Sequence, residues 1–133
     1  MKNRRMSSDP LFLQIRQHIE DMILSGQLAP DEQVPSSTQM VKFFQVNHLT
    51  VLKGMNLLVD EGIIYKRRGV GMFVSADARE RIQRSRRDAF VGEFVLPLVR
   101  EARRLGIARG ELSSIVSRAI EEDRNHDDEH RDA

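Results

Sequence analysis

The chain has 133 residues, 40% of them hydrophobic and 31% charged, with 21 Lys and Arg against 20 Asp and Glu. That length holds one or two small domains, and the ordinary apolar content excludes a collagenous or fully disordered chain. Its apolar runs are only a few residues long, whereas a membrane span needs roughly 20. Lys2, Arg4 and Arg5 resemble the basic start of a signal peptide, but Asp9, Gln14 and Arg16 interrupt what would be its apolar core, so none is expected. The lack of cysteine removes disulfides, thiolate nucleophiles and cysteine zinc sites, and fits a reducing, cytoplasmic location away from membranes.

The near-neutral sum conceals a split. Residues 1–92 carry 14 basic and 10 acidic side chains, whereas residues 93–133 carry 7 and 10. The basic charge is also clustered: Lys66, Arg67 and Arg68 form one run, and Arg79, Arg81, Arg84, Arg86 and Arg87 fall close behind.

Residues 8–25 read as a first helix. Ser8 or Asp9 can cap it, Pro10 suits its first turn, and Leu11, Ile15, His18, Ile19, Met22 and Ile23 recur at helical spacing before Gly26 stops it. The connection from Leu28 to Val34, marked by Pro30 and Pro35, leaves room for a short extended piece. Ser36 is a cap for a second helix with Met40, Val41, Phe43 and Phe44 as its apolar positions. After a break at Gln45 and Val46, Asn47 can cap a third, whose Val51, Met55, Leu58 and Val59 face inward and which Gly62 ends. Three such helices with a tight turn between the last two form a helix-turn-helix. Ile64 and Tyr65, then Met72 to Val74, are β-prone runs, and Gly69 and Gly71 between them permit the reversal of a hairpin. Helix, helix, helix and basic hairpin is the order of a winged helix.

From about Asp77 the helical period returns. Phe90, Val91, Phe94, Val95, Leu98, Val99, Ala102 and Leu105 make a stripe too wide to leave in water, and Pro97 should kink or divide it near Phe94. After Gly106 a last helix places Leu112, Ile115, Val116, Ala119 and Ile120 on one face. The segment beyond Glu121 has no apolar period and reads as a disordered acidic tail. The fold class is therefore mainly α with a small β-hairpin wing. A winged helix-turn-helix over residues 1–76 is followed by a helical dimerisation region over 77–121 and a tail over 122–133.

Pro10 to Ser75 resembles the DNA-binding domain of the GntR family of bacterial transcription regulators. The resemblance rests on PLFLQI in the first helix, ILSGQLAP in the connection, VPSS entering the second helix, Thr50-Val51 in the third, LLVDEGIIYKRRG, and GVGMFVS at the wing. The short region starting ADARERIQRSRRDAF is similar to the YtrA subfamily, where a small helical C-terminal region serves dimerisation. The resemblance implies double-stranded DNA as partner, repression as activity and a homodimer as the acting form.

In such a domain the exposed N-terminal residues of the third helix reach base edges in the major groove. Here those positions are Asn47, His48, Leu49 and Thr50, with Leu52, Lys53 and Asn56 on later turns. Asn47 is either a DNA contact or only a cap; His48 can donate to a base or phosphate or stay idle at the surface; Lys53 suits a phosphate. Ser36, Ser37 and Thr38 open the second helix, whose unpaired amides favour a phosphate or are simply capped. Arg67 and Arg68, flanking a turn that includes Gly69 and Gly71, can reach a phosphate or the minor groove, or form a solvated loop.

The chain departs from the family pattern in three places. PSST stands where relatives commonly have Pro-Ser-Glu-Arg, which puts Thr38 in the arginine position. Asn47 to Thr50 replaces Ser-Arg-Asn-Thr, and Leu52 stands where many relatives have arginine. These losses weaken bidentate guanine readout and shift affinity toward Lys53 and the wing. Gly54 within the third helix costs about 1 kcal/mol against alanine, and close approach to a neighbouring helix or to DNA would account for it. The Arg79 to Arg87 cluster touches flanking phosphates or covers the solvated first turns of a linker helix.

Phe90, Val91, Phe94, Val95, Leu98, Val99, Leu105, Leu112, Ile115 and Val116 are the candidate dimer interface, packed about a two-fold axis. Folding back onto the winged helix is the alternative. His126 and His130 are spaced for a metal if helical, but an acidic tail is the expectation, with no metal and no cofactor. No Gly-rich phosphate cradle or paired carboxylates offer a catalytic site, so no enzyme is expected. A small-molecule effector is not indicated, since little chain follows the wing. The competing function is a winged-helix module that docks a protein through its C-terminal helices.

Overall fold

Pro10 fixes the entry to α1 (Leu11–Leu24) with φ −54° and ψ 150°, and no side chain caps this helix. The computed structural model describes residues 9–131. Ser8, like the basic residues before it, lies outside the described residues. The other expected cap, Asp9, instead accepts Gln14 Nε2 on its backbone carbonyl at 2.9 Å. With Pro10 itself in the cap position, the helix starts one residue too late for Asp9 to serve. Ile15, Ile19 and Ile23, four apart, form its buried edge, while His18 and Met22 are half-buried and Leu11 is exposed. Gly26, at φ +87°, ends the run in a conformation glycine adopts without strain.

The connection brings Leu28 and Val34 into the core and lies against the wing, where Gln33 bridges Phe73. Ser36 then caps α2 (Ser37–Phe44) in a capping box: its Oγ accepts the Gln39 amide while the Gln39 side chain accepts the Ser36 amide. Gln45 stops α2 in the left-handed region, at φ 53°. Asn47 caps α3 (His48–Asp60), whose Val51, Met55 and Leu58 are buried.

A Cβ on Gly54 would stand 2.6 Å from the Phe12 carbonyl oxygen and 3.2 Å from Ile15. Gly54 is therefore the point where α3 crosses α1 at backbone contact, which settles the sequence's two explanations in favour of the neighbouring helix. β1 (Ile64–Arg67) and β2 (Gly71–Val74) form the antiparallel wing, with Ile64 opposite Val74 and Arg67 opposite Gly71.

α4 (Ala78–Phe90) straddles the division between two compact units, which falls between Arg86 and Arg87. The sequence puts this boundary ten residues earlier. Ala78 and Ile82 account for the difference, because both are buried in the first unit's core. Three arginines reinforce that seat. Arg79 donates to the Leu24 carbonyl, Arg81 pairs with Asp77 and reaches the Glu61 carbonyl, and Arg86 pairs with Glu20 at 3.0 Å and Asp21 at 2.9 Å. Glu20, 5% exposed, also faces Arg16, which binds Glu61 at 2.8 Å. These members of the arginine cluster thus anchor α4 along its length within the first unit, a third role beside the two the sequence suggests.

The second unit continues as a π-helical turn, Val91–Val95, then α5 (Leu96–Arg104) and α6 (Arg109–Arg131), with Gly106 at φ +69° between the last two. Pro97 has no amide to bond four residues back, and the Leu96 amide reaches five back to Val91. The expected division near Phe94 takes this form. α6 runs on through Arg131, where the sequence suggests a disordered tail. Residues 121–129 are exposed, with Arg124 to Glu121 at 3.4 Å as a local pair. Among the described residues no helix is long and apolar enough to cross a membrane, and no metal-binding cluster occurs. The side chain of His130 lies outside the described residues.

Candidate nucleic-acid interface

The two helix starts expected to face DNA meet each other. His48 Nε2 lies 3.0 Å from Ser37 Oγ, joining the first residue of α3 to the first of α2. Ser36, one residue earlier, is engaged as the α2 cap. Asn47 Oδ1 accepts both the amide and the hydroxyl of Thr50, at 2.8 and 3.0 Å. Asn47 is therefore a cap, which leaves its NH2 group to donate elsewhere.

The outer face of α3 follows helical spacing. Leu49, Lys53 and Asn56 are exposed, four and three residues apart. Lys53 Nζ sits 4.0 Å from the centroid of the Phe12 ring on α1, held over its face by the ring's quadrupole. Leu52 is half-buried and lines a cavity of about 180 Å³ with Ser37, Met55, Val70 and Met72. This cavity brings α3, the start of α2 and the wing together. Thr38, exposed in place of the family's arginine, lines a second hollow with Lys42 and Gln39.

In the wing, Arg67 Cζ lies 5.2 Å above the Phe73 ring, which itself stacks on Tyr65. Arg68 and Gly69 are exposed in the loop, with Gly69 at φ +76°. Gly71 is also in a positive-φ conformation, at φ +147°, and a Cβ there would stand 2.5 Å from the movable end of Gln33, its Nε2. That amide donates to the Val70 carbonyl at 3.1 Å, so a residue from the connection holds the wing loop.

Gln33 and Phe12 are the residues sequence reasoning missed. Neither carries a local signal, since each acts across the fold. The Ser36 and Gln39 pair was legible as Ser-x-x-Gln, a capping-box spacing. The ten candidate interface residues fall within the second unit. Phe90, Val91, Phe94, Leu98, Val99, Leu105 and Val116 are exposed, Val95, Leu112 and Ile115 half-buried, and the Phe90 and Phe94 rings lie 5.9 Å apart.

The family model described as bacterial regulatory proteins, gntR family, matches residues 11–74, from the start of α1 to the end of β2. The arabinose metabolism transcriptional repressor of Geobacillus stearothermophilus is 41% identical over 66 residues, 50% of this chain and 18% of that protein. The HTH-type transcriptional repressor YtrA of Bacillus subtilis (strain 168) is 34% identical over 73 residues, 55% of this chain and 56% of that one. The chain thus spans less than two thirds of either repressor. A crystal structure from Bacteroides thetaiotaomicron, described as a transcriptional regulator of the GntR family, superposes with a TM-score of 0.67 at 31% identity, over 86% of this chain and 99% of that one. A matched helix-turn-helix and wing, together with a relative similar over nearly its whole length, assign the chain: it belongs to the GntR family of bacterial regulatory proteins.

Proposed function

We propose that the chain is a sequence-specific DNA-binding transcription regulator, a repressor acting as a homodimer on a roughly palindromic operator. The observation that carries this reading is the exposed stripe of α3, headed by Leu49 and Lys53 and set beside a basic wing through the cavity that Leu52 and Val70 share. In the complex α3 enters the major groove. The start of α2 receives a phosphate on the amides of Ser37 and Thr38, the Ser36 amide being held by the Gln39 side chain. Lys53 moves from Phe12 to a phosphate, and Arg67 and Arg68 meet the flanking backbone or minor groove across the Gly69 to Gly71 turn.

The homodimer is supported by the apolar side chains of the second unit, which a single chain leaves in water. A two-fold packing of α5 and α6 would cover them, in the manner of the short YtrA-like region. Half-sites would then lie about one helical turn, or a multiple, apart.

Footprinting of the full chain on the DNA upstream of its own gene tests the reading, together with the salt dependence of binding. Affinity should fall with a log–log slope near −0.9 per phosphate contact. Replacing Arg67 and Arg68 together by alanine should weaken binding and flatten that slope by about two contacts. An unchanged affinity and slope would remove the wing from the interface.

A further inference from the structure

The recognition turn of this chain presents an apolar group where a polar one is expected. Leu49 is 76% exposed, the most exposed large apolar side chain among the described residues. A single exposed leucine is ordinary on a protein surface. This one occupies the second position of α3, among the residues that reach base edges in a helix-turn-helix. Two of the polar atoms around it are already engaged, Asn47 Oδ1 with Thr50 and His48 Nε2 with Ser37, while the Asn47 NH2 group is left to donate. The other apolar residue of the outer helix, Leu52, is half-buried in the cavity beside Val70 and Met72. Leu49 alone of the two is free to enter a groove.

In the major groove the base edges offer one apolar feature, the C5-methyl group of thymine. We infer that Leu49 is a specificity-determining residue that reads a thymine methyl in each half-site. This rests on the proposed DNA-binding function and adds to it the base class at one position. Lys53, one turn along the same face, would fix the register by its phosphate contact without reading sequence. The operator would accordingly contain a thymine that the protein selects by shape, read by a leucine that stands in place of the asparagine of Ser-Arg-Asn-Thr.

The test begins with duplexes enriched from a random-sequence library by the full chain. The best duplex is resynthesised with each thymine changed in turn to deoxyuridine, which removes only the methyl group. The inference expects one position per half-site at which the change weakens binding about fourfold, the equivalent of one buried carbon. In Leu49→Ala that position should become insensitive to uracil. Because Leu49 is exposed, the variant should fold with an unchanged melting temperature, which is measured alongside. A flat uracil scan, or a sensitive thymine that stays equally sensitive in Leu49→Ala, overturns the role of Leu49 while leaving DNA binding intact. Failure to enrich any duplex, with no salt-dependent binding to random DNA, overturns the DNA-binding reading itself.

Discussion

The two units solve opposite packing problems with a similar share of apolar residues. In the first, Ile15, Ile19, Met55, Leu58, Ile63, Ile64, Val74 and Ile82 are all within 1% of full burial. In the second, Ala102 is the buried apolar residue among those described, while Phe90, Val91, Leu105 and Ile120 are more than half exposed. A winged helix has three helices and a hairpin to close around its core. The second unit closes no such core, and apart from Ala102 its apolar side chains are exposed or half-buried. The difference teaches that the first unit closes a core of its own within a single chain, whereas the second leaves most of its apolar side chains exposed there.

Truncating the cores separates the two most strongly. Leu58→Ala should destabilise the first unit by about 2–5 kcal/mol, independent of protein concentration in a urea titration. Phe94→Asp should leave that transition unchanged and convert a sedimenting dimer to a monomer at micromolar concentration. A monomeric parent, or a Phe94→Asp variant that sediments unchanged, would break the contrast. Next in size is Gly54→Val, whose side chain has to displace the Phe12 carbonyl. About 3 kcal/mol of destabilisation is expected. By contrast Gly110→Ala, with nothing within 4 Å of the added carbon, should stabilise α6 by up to about 1 kcal/mol.

Glu20→Gln should cost the first unit about 2 kcal/mol. That is less than a fully buried ion pair, because Arg16 and Arg86 remain 26% and 29% exposed. The smallest effect is on pH dependence. Burial holds the His18 imidazole below its ordinary value, against a weaker opposing pull from Asp21. The folded unit therefore favours neutral His18, and this contribution is present above about pH 6.5. It is lost as pH falls through the lowered folded value. Urea midpoints should drift downward below pH 6.5, and His18→Phe should flatten the drift.

The helices, their order and the wing were legible because each has a local signature: isoleucines four apart in α1, Ser36 and Asn47 as caps, Gly69 and Gly71 at the reversal. What escaped the sequence depends on contacts across the chain. The end of the first unit is fixed by Ile82 and Arg86, whose partners lie more than sixty residues away in the case of Glu20. Lys53 over Phe12 and Gln33 at Val70 are likewise invisible to periodicity. Of the candidate DNA residues, Ser36 and Asn47 were read as contacts or caps, and the structure engages both as caps.

The π-helical turn at Val91–Val95 has a consequence for chain length. A π-turn holds one residue more than an α-turn over a similar stretch. Deleting Gly92 together with Pro97→Ala should therefore yield an uninterrupted α-helix, with the apolar stripes on either side still in phase. A one-residue deletion inside α3 would instead rotate everything beyond it by about 100° and scramble the core. Tolerance to insertion and deletion is thus written into one turn of this protein, and circular dichroism of the shortened chain would read it.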